Sequence, residues 1–466
     1  MSRLIVVSNR VNPPAESGEE SVGGLAMALA AALREYSGIW FGWSGRTTPE
    51  FTGRLAIERV GGVTTATVDL EAADLDEYYN GYANKTLWPL FHYRTDLAAF
   101  DRAYGEGYGR VNRRFAETLA PLIEPDDIIW VHDYHLIPMA RELRRLGVKN
   151  RIGFFLHIPW PAHQVIINLP RHSGLVEAMF DYDLVGFQTA EHRQAFEEYV
   201  LNEAGGAQTA PGDLSAFGRT LRVGAFPIGI DAAEFARLAA SPRAGRMRDL
   251  MRACTVFRRL IVGVDRLDYS KGLEERFLGF ERFLAENPDL RRQVLLLQIA
   301  PPSRESVEAY QDIRARLDAL SGRINGEFSD LDWSPFRYVN KAYRRDELAG
   351  LYGAARIGMV TPLRDGMNLV AKEFVAAQDP EDPGVLILSR FAGAAGQLRD
   401  ALLVNPNSAE EVADALKRAI FMEKDERIRR WRSMFESVSR EDVTAWRDAF
   451  VRALAAMRSE RSAVAV

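Results

Sequence analysis

The chain has 466 residues, a formal net charge of −5 and 47% apolar residues. This length predicts two or three domains, and the acidic balance gives no broad positive field that would attract nucleic acid. No run approaches the ~20 apolar residues that a transmembrane helix needs, and the N-terminus is too short and strand-like for a signal peptide. A single cysteine, Cys254, excludes an intrachain disulfide and is expected to be a small core residue. We therefore expect a cytoplasmic protein without nucleic-acid or membrane partners.

Apolar runs alternate with helical patterns along the whole chain. The runs predict strands at residues 4–8, 128–131, 152–157, 184–188, 223–228, 260–264, 294–299, 336–339, 357–360, 385–388 and 402–404. Amphipathic helices are predicted between most of them, for example at residues 25–36, 111–122 and 410–421. This alternation is typical of parallel sheets that helices cover on both faces.

Two composition shifts indicate how the chain divides. Residues 204–220 are rich in Gly, Ala, Ser and Pro and predict a surface excursion, and residues 232–245 indicate a linker. We expect an α/β fold of the following parts: two Rossmann-like parallel-sheet domains, residues 1–236 and 237–442, that face each other across a cleft, and a C-terminal helical segment, 443–466, that crosses back to the first domain. Residues 458–466 are expected to fray.

The end of the first strand has features of an anion site. Arg10 follows that strand, and Gly23 and Gly24 precede the first predicted helix, where glycine allows an anion to approach the backbone closely. Two adjacent glycines fit a simple turn equally well. The polar loop at residues 11–22 is long enough to close over a bound substrate.

Aromatic and polar residues alternate over residues 78–94, which include Tyr79 and Trp88. Aromatic rings stack on the C–H faces of sugars while polar groups bind hydroxyls, so the segment suits a sugar site. A small satellite core is the alternative.

Histidines and an aspartate follow two neighbouring predicted strands. Residues His132, Asp133 and His135 follow one strand, and His157 ends the next. These groups can bind sugar hydroxyls or move a proton, although a histidine in such a place is often structural. The spacing of His132 and His135 after a strand does not predict a zinc site.

Three cationic residues follow predicted strands in the second half. Arg266 and Lys271 come after the strand at 260–264, where open parallel sheets bind ligands, and they can neutralise a departing diphosphate. Arg304 follows the strand at 294–299 and offers a planar fork for phosphate, with a surface salt bridge as the alternative.

The segment Thr-Pro-Leu-Arg-Asp-Gly-Met-Asn-Leu-Val-Ala-Lys-Glu, residues 361–373, carries the strongest signal. It follows a buried strand and starts a helix, whose free N–H groups and dipole suit phosphate. Asp365 precedes the helix, and Glu373 lies about two turns in, where it can reach a diol. A nucleotide sugar carries phosphate groups next to hydroxyls, so this segment predicts a nucleotide-sugar site.

Together these segments resemble the trehalose-6-phosphate synthases, which are family 20 glycosyltransferases of the GT-B architecture. The resemblance runs from residue 1 to about residue 450. Its main motifs are Val-Val-Ser-Asn-Arg (6–10), Gly-Gly-Leu-Ala (23–26), Leu-Trp-Pro-Leu-Phe-His-Tyr-Arg (87–94), Trp-Val-His-Asp-Tyr-His-Leu (130–136), Gly-Phe-Phe-Leu-His-Ile-Pro (153–159), Arg-Leu-Asp-Tyr-Ser-Lys-Gly (266–272) and Gln-Ile-Ala-Pro-Pro-Ser-Arg (298–304). The chain looks like the bacterial, single-function type.

The resemblance implies transfer of glucose from a nucleoside diphosphate glucose, usually UDP-glucose, to glucose 6-phosphate. The implied acceptor-binding residues are Arg10, Tyr79, Asp133 and Arg304, and Trp88 and Ile158 would favour one anomer. The implied donor-binding residues are Gly23, Gly24, Arg266, Lys271, Tyr343, Asp365, Asn368, Leu369, Val370, Ala371, Lys372 and Glu373. His157, Arg266, Lys271 and Asp365 would act at the reacting centre.

The implied mechanism is retaining transfer without a protein nucleophile, a metal or another cofactor. Related enzymes suggest a homodimer or homotetramer. One rival is a sister enzyme with another phosphorylated acceptor, such as glycerol 3-phosphate or a cyclitol phosphate. Another is a non-catalytic sugar-phosphate sensor, which we would expect to lack some of the donor residues. A dehydrogenase is disfavoured because the first strand has no Gly-x-Gly-x-x-Gly after it.

Overall fold

The computed structural model describes residues 3–11, 29, 33, 38–60, 63–256, 258–304 and 307–457. The chain forms two compact units. One unit comprises Met1–Ile228 with Thr444–Val466, and the other comprises Gly229–Val443. The first boundary lies eight residues before the predicted one at 236/237, and the C-terminal segment groups with the first unit. The predicted Gly23, Gly24, most of the loop at 11–22, most of the helix at 25–36 and the tail at 458–466 lie outside the described residues.

The first unit is built on one sheet of strands in the order β3-β4-β2-β1-β5-β6-β7-β10-β9-β8. The strands are β1 (Leu4–Arg10), β2 (Ile39–Thr48), β3 (Ala56–Val60), β4 (Val63–Glu71), β5 (Ile128–His132), β6 (Arg151–Phe155), β7 (Leu184–Phe187), β8 (Ala207–Ala210), β9 (Asp213–Ala216) and β10 (Arg219–Ala225). The central strands pair in parallel. Because β5, β6 and β7 are buried almost throughout, the sheet lies inside the unit.

The two edges of this sheet differ from the sequence prediction. Strand β3 pairs antiparallel with β4, and β8, β9 and β10 form an antiparallel meander. Residues 204–220, predicted as an excursion, therefore extend the sheet. Strands β2 and β4 were not predicted, because threonines and other polar residues interrupt their apolar runs.

Helices of the first unit follow its strands. They are α1 (Ala72–Asp74), a π-helical stretch (Leu75–Leu87), α2 (Trp88–Phe91), α3 (Arg102–Leu119), α4 (Met139–Arg145), α5 (His163–Ile166), α6 (His172–Met179) and α7 (Ala190–Asn202). Asp101 caps α3 by accepting a hydrogen bond from the Ala103 backbone, and Thr189 caps α7 through the His192 backbone. Such caps satisfy N–H groups that a helix start leaves free.

The second unit contains a sheet whose strands are all parallel, in the order β13-β12-β11-β14-β15-β16. Its strands are β11 (Arg259–Val264), β12 (Val294–Ile299), β13 (Phe336–Val339), β14 (Ile357–Val360), β15 (Val385–Ser389) and β16 (Leu402–Val404). Each was predicted within one residue. The order reverses next to β11, and β11 and β14 are the neighbours at this switch point, where ligands of open α/β sheets bind.

Helices of the second unit are α8 (Ala232–Ala239), α9 (Pro242–Thr255), α10 (Leu273–Glu286), α11 (Glu308–Phe328), α12 (Arg345–Ala354), α13 (Leu369–Ala376), α14 (Ala409–Phe421) and α15 (Lys424–Arg440). The predicted linker at 232–245 is wrong, since it forms α8 and the start of α9. Asp231 and Ser241 cap these helices. Cys254, in α9, is half-buried rather than a core residue.

The last helix, α16 (Val443–Ala455), completes the core of the first unit. The ring of Phe450 stacks on Trp130 with centroids 4.7 Å apart. A Cβ atom at Gly153 or Gly186 would lie within 2.9 Å of the Phe450 ring, so only glycine leaves room for it on β6 and β7. Within the described part of the chain, no helix is long and apolar enough to cross a membrane.

Candidate functional site

Loops after the neighbouring strands β11 and β14 are joined at the switch point of the second unit. Gly272 adopts φ +61°, and a Cβ atom there would lie 2.1 Å from the Thr361 carbonyl oxygen. The backbone N–H of Leu363 donates to the Ser270 carbonyl at 2.9 Å. Glycine therefore allows the loop after β11 to lie directly against the loop after β14.

This contact brings three of the predicted donor residues together. Lys271 Nζ lies 2.5 Å from Asp365 Oδ2, and the side chains are 12% and 14% exposed. The Asn368 amide donates to the same carboxylate oxygen at 3.0 Å. Arg266 lies on the same loop as Lys271, with a half-exposed side chain. The site thus has a fixed ion pair and an adjacent cation that faces solvent.

Helix α13 begins directly behind the ion pair. Asn368 has φ +80°, and its side-chain oxygen accepts a hydrogen bond from the Ala371 backbone at 3.3 Å. Leu369 and Val370 are half-buried, and Ala371 is buried. The positive end of the α13 dipole therefore lies beside Asp365, in an arrangement that suits an anionic group.

Two adjacent ionisable residues on α13 have strongly shifted pKa values. Burial raises the pKa of Glu373 to about 7, although Arg345 opposes this shift. Burial lowers the pKa of Lys372 to about 7, against the raising effect of Glu441. Lys372 is 1% exposed, so its ammonium belongs to the interior, whereas Glu373 is half-buried. Glu373 is therefore the better placed of the two for a ligand hydroxyl.

A buried polar cluster lies beneath the loops, and the sequence analysis missed it. Arg276, fully buried on α10, donates to Asp265 at 2.6 Å, to Gln298 at 2.7 Å and to Thr361 at 2.9 Å. Its acceptors lie at or just after the C-terminal ends of β11, β12 and β14. Burial raises the pKa of Asp265, and the charge of Arg276 opposes that shift. The cluster ties three strand ends together. Its only sequence signal is an arginine on an apolar helix face.

Arg304 and Tyr343 lie on the loops after β12 and β13 of the second unit. Arg304 has φ +52° and a side chain that is 8% exposed, and its Nη1 donates to the Tyr310 hydroxyl at 2.6 Å. This buried setting is not the surface salt bridge considered as the alternative. Tyr343 is half-buried, and the ammonium of Lys341 lies 5.7 Å from its ring centroid.

In the first unit, Arg10 ends β1 and is exposed. Its guanidinium lies against Gly45, where a Cβ atom would be 2.7 Å from Nη2. Tyr79 stacks on His135 with centroids 5.8 Å apart and contacts Trp43 at 5.9 Å. Tyr79 is therefore held between two rings, whereas Arg10 is exposed to solvent.

Asp133 lies at the end of β5 in a backbone conformation that is uncommon for aspartate. Its φ is +73°, its N–H donates to the Phe155 carbonyl at 2.8 Å, and its carboxylate accepts from the His157 N–H at 3.3 Å. These two hydrogen bonds join the C-terminal ends of β5 and β6. Positive φ in a non-glycine residue costs energy and is frequent at functional sites.

Hydrogen bonds fix the tautomer of His157. The Gln188 oxygen accepts from the Ile228 N–H at 3.0 Å, so its amide nitrogen faces His157 Nδ1, 3.3 Å away. Nδ1 is therefore the acceptor, and Nε2–H donates to His132 Nδ1 at 3.0 Å. Burial lowers the pKa of His157 to about 3. The imidazole is neutral, and a sugar hydroxyl would have to displace one of these partners.

Trp88 and Ile158 are 5% and 6% exposed. Trp88 packs against Tyr134 with centroids 5.6 Å apart and against His92 at 4.2 Å. Their burial gives them the fixed positions that a shape-selective wall requires. Among the described residues, no group of three or more His, Cys, Asp or Glu side chains is arranged to hold a metal ion.

Comparisons with known proteins cover the whole of this architecture. The family model "Glycosyltransferase family 20" matches residues 2–456. A trehalose-6-phosphate synthase from Sinorhizobium fredii is 49% identical over 458 residues, which are 98% of this chain and 99% of the relative. A UDP-forming alpha,alpha-trehalose-phosphate synthase from Burkholderia xenovorans, solved with glucose-6-phosphate, is 53% identical with a TM-score of 0.94, over 97% of this chain and 100% of the other.

A further solved structure, from E. coli and bound with UDP-2-fluoro glucose, is 46% identical with a TM-score of 0.94, over 98% of this chain and 100% of that one. The two Rossmann-like domains of the predicted GT-B class are confirmed by this likeness. The family match extends over both units, including the ion pair, the α13 start and the strand ends described above. The chain belongs to glycosyltransferase family 20.

Proposed function

We propose that this protein is an alpha,alpha-trehalose-phosphate synthase that transfers glucose from UDP-glucose to glucose 6-phosphate with retention of configuration. The observation that carries the proposal is identity of about half of the residues over almost the full length of UDP-forming synthases, one of them solved with glucose-6-phosphate. The Lys271–Asp365 pair beside the start of α13 gives that similarity a chemical basis.

The second unit supplies the donor side in this proposal. Arg266 and Lys271 bind the diphosphate, and main-chain groups from Asn368 to Lys372 lie at the positive helix end. Asp365 binds the transferred glucose, and Glu373 binds the ribose diol. Gly23 and Gly24 also bind the donor, and Tyr343 binds it near the base.

The first unit supplies most of the acceptor side. Arg10, Tyr79 and Asp133 hold glucose 6-phosphate together with Arg304, and His157 bonds the donor glucose. Trp88 and Ile158 favour one anomer. Because both residues are buried against neighbouring groups, they present a wall whose shape changes little when a substrate binds.

The transfer proceeds without a protein nucleophile. The bond between the anomeric carbon and the diphosphate breaks, and both electrons leave with the diphosphate. The acceptor hydroxyl bonds to the oxocarbenium-like carbon on the same face, and its proton passes to a phosphate oxygen. Arg266 and Lys271 stabilise the charge on the leaving group, so the proposal includes no metal or other cofactor. A cytoplasmic homodimer or homotetramer completes the proposal.

A donor panel tests this function. Glucose 6-phosphate is held fixed while UDP-, GDP-, ADP- and TDP-glucose are supplied in turn, with and without EDTA, and nucleoside diphosphate release and the disaccharide phosphate are measured. We expect trehalose 6-phosphate with UDP-glucose, at the same rate in EDTA. Loss of activity in EDTA would refute the metal-free mechanism.

Two other outcomes would change the assignment. Release of nucleoside diphosphate only with glycerol 3-phosphate or a cyclitol phosphate would make the protein a sister enzyme with another acceptor. Binding of sugar phosphate without turnover of any pair would make it a sensor. UDP-glucose without any acceptor provides the control for donor hydrolysis.

A further inference from the structure

Asp268 is a fully buried carboxylate on the loop that carries Arg266 and Lys271. Its Oδ1 accepts hydrogen bonds from the Ser270 backbone N–H and the Ser270 hydroxyl, both at 2.9 Å. These bonds cap the short 3-10 turn Tyr269–Lys271. One oxygen of the carboxylate therefore fixes the loop itself.

The other oxygen of Asp268 faces two arginines. Oδ2 accepts from the Tyr310 hydroxyl at 3.2 Å, and it lies 3.8 Å from Arg304 Nη1 and 3.9 Å from Arg266 Nη2. The Tyr310 hydroxyl also accepts from Arg304 Nη1 at 2.6 Å. The tyrosine thus connects Arg304 to the carboxylate by hydrogen bonds, whereas Arg266 forms an ion pair with the carboxylate.

The carboxylate is ionised despite its burial. Burial alone would raise the pKa of Asp268, but the cations around it, led by Arg304 and Arg266, outweigh burial and lower the pKa to about 2. Arg266 follows β11 and Arg304 follows β12, so two neighbouring strand ends share one negative charge. A buried charge shared in this way holds both arginines in place. If either arginine moved away, the buried carboxylate would keep less compensating positive charge, and this costs free energy.

We propose that Asp268 is a positioning residue that holds the guanidinium groups of Arg266 and Arg304 in place. Through these two arginines it positions both the donor-diphosphate site and the acceptor-phosphate site. This inference rests on the roles given to the two arginines under the proposed function. It adds a residue that touches neither substrate and on which both phosphate sites depend. Tyr310 helps to position Arg304, because its hydroxyl bonds to both Arg304 and Asp268.

Replacing Asp268 with asparagine removes the negative charge while it keeps the shape of the side chain. An Asp268→Asn side chain keeps an oxygen for the Ser270 cap but removes the negative charge that faces both arginines. Tyr310→Phe removes only the hydroxyl between Asp268 and Arg304. Asp382→Asn is the matched control, because Asp382 also pairs with two arginines, Arg356 at 2.9 Å and Arg427 at 2.7 Å.

Asp382 precedes β15, so the control site lies near the N-terminal ends of the parallel strands, whereas Arg266 and Arg304 follow the C-terminal ends. Isothermal titration of the full-length protein with UDP and, separately, with glucose 6-phosphate gives an affinity and a binding stoichiometry for each variant. Stoichiometry reports a folded fraction, so a merely structural effect lowers it without changing the affinity of the molecules that remain folded.

We expect Asp268→Asn to bind both UDP and glucose 6-phosphate about tenfold more weakly at unchanged stoichiometry, as loss of a charged contact requires. Tyr310→Phe should weaken glucose 6-phosphate alone, and Asp382→Asn should match the wild type. Unchanged affinities in Asp268→Asn, or a change for one ligand only, would overturn the proposal.

If Asp268→Asn does not fold, Tyr310→Phe decides: unchanged glucose 6-phosphate affinity, or equal weakening of both ligands, overturns the assigned arrangement. Failure of the proposed function is recognised separately, because wild-type protein would then bind neither ligand or form no trehalose 6-phosphate.

Discussion

The ammonium group of Lys271 lies 2.5 Å from the carboxylate of Asp365, and Asn368 donates to the same oxygen. The pair joins the loop after β11 to the loop after β14. The residue proposed to hold the diphosphate is thus paired with the residue proposed to hold the sugar. A phosphate that binds Lys271 has to share or replace this carboxylate, so the pair keeps the cation in place before the donor arrives.

Asp365→Asn should separate nucleotide binding from turnover. The amide cannot neutralise Lys271, so UDP, which has no glucose, should bind at least as tightly as it does to the wild type. Turnover should fall about 100-fold because the contact to the transferred glucose is weakened in the transition state. Initial rates and UDP titrations measure the two effects.

Asp382→Asn is the control for this experiment, since it removes a paired carboxylate elsewhere in the same unit. A variant Asp365→Asn that loses UDP affinity and turnover in equal measure would contradict the assignment of Asp365 to the sugar.

Lys372→Met should change how stability depends on pH. Burial lowers the pKa of Lys372 from 10.5 to about 7. Between those values the unfolded chain binds a proton that the folded chain does not, so this group makes the wild type more stable as pH rises from 7 towards 10.5. The variant should lack this contribution, which reaches about 1.4 kcal/mol per pH unit.

Urea unfolding at pH 7.5, 8.5 and 9.5 measures that difference between variant and wild type. Glu373→Gln is a useful comparison, since the raised pKa of Glu373 lies at about 7 and affects stability only between 4.5 and that value, where stability falls as pH rises. Parallel stability curves for wild type and Lys372→Met above pH 7 would show that the lysine keeps an ordinary pKa.

Gln188→Glu should reverse the tautomer of His157. A carboxylate still accepts from the Ile228 N–H but offers His157 Nδ1 an acceptor instead of a donor. We expect Nδ1 to become protonated and the pKa of His157 to rise from about 3. Nitrogen-15 spectra of the imidazole distinguish the two forms, and an unchanged Nε2–H tautomer would show that Gln188 does not set it.

Arg276→Met should destabilise the second unit by about 3–5 kcal/mol, because it leaves the carboxylate of Asp265 buried without its cation. Adding Asp265→Asn should recover part of this loss, since the unpaired charge is then removed. Urea unfolding of the single and double variants measures both. If the double variant is less stable than Arg276→Met, the ion pair is not the source of the effect.

Much of the second unit could be predicted because its strands are continuous apolar runs. The segment from β14 to α13 shows why: buried strand, glycine turn and helix start follow each other within a few residues. Asp365 and Lys271 lie at ends of adjacent parallel strands, so their proximity follows from strand order once β11 and β14 are neighbours.

The remaining features depend on contacts that a linear pattern does not contain. Strands β2 and β4 carry threonines among their apolar residues, and only their pairing with neighbouring strands identifies them as part of the sheet. The linker prediction at 232–245 failed because its alanines and arginines form helices once capped by Asp231 and Ser241. The partners of Asp268 lie up to 42 residues away, and no local pattern marks them.

The contact between Phe450 and the glycines of β6 and β7 has a consequence for the order in which the chain folds. The core of the first unit needs Phe450, which lies after every residue of the second unit in the chain. The first unit therefore cannot fill the groove over Gly153 and Gly186 until the whole of the second unit has been synthesised. A released chain that ends just before Phe450 should have a second unit that resists protease and a first unit that protease cleaves more readily.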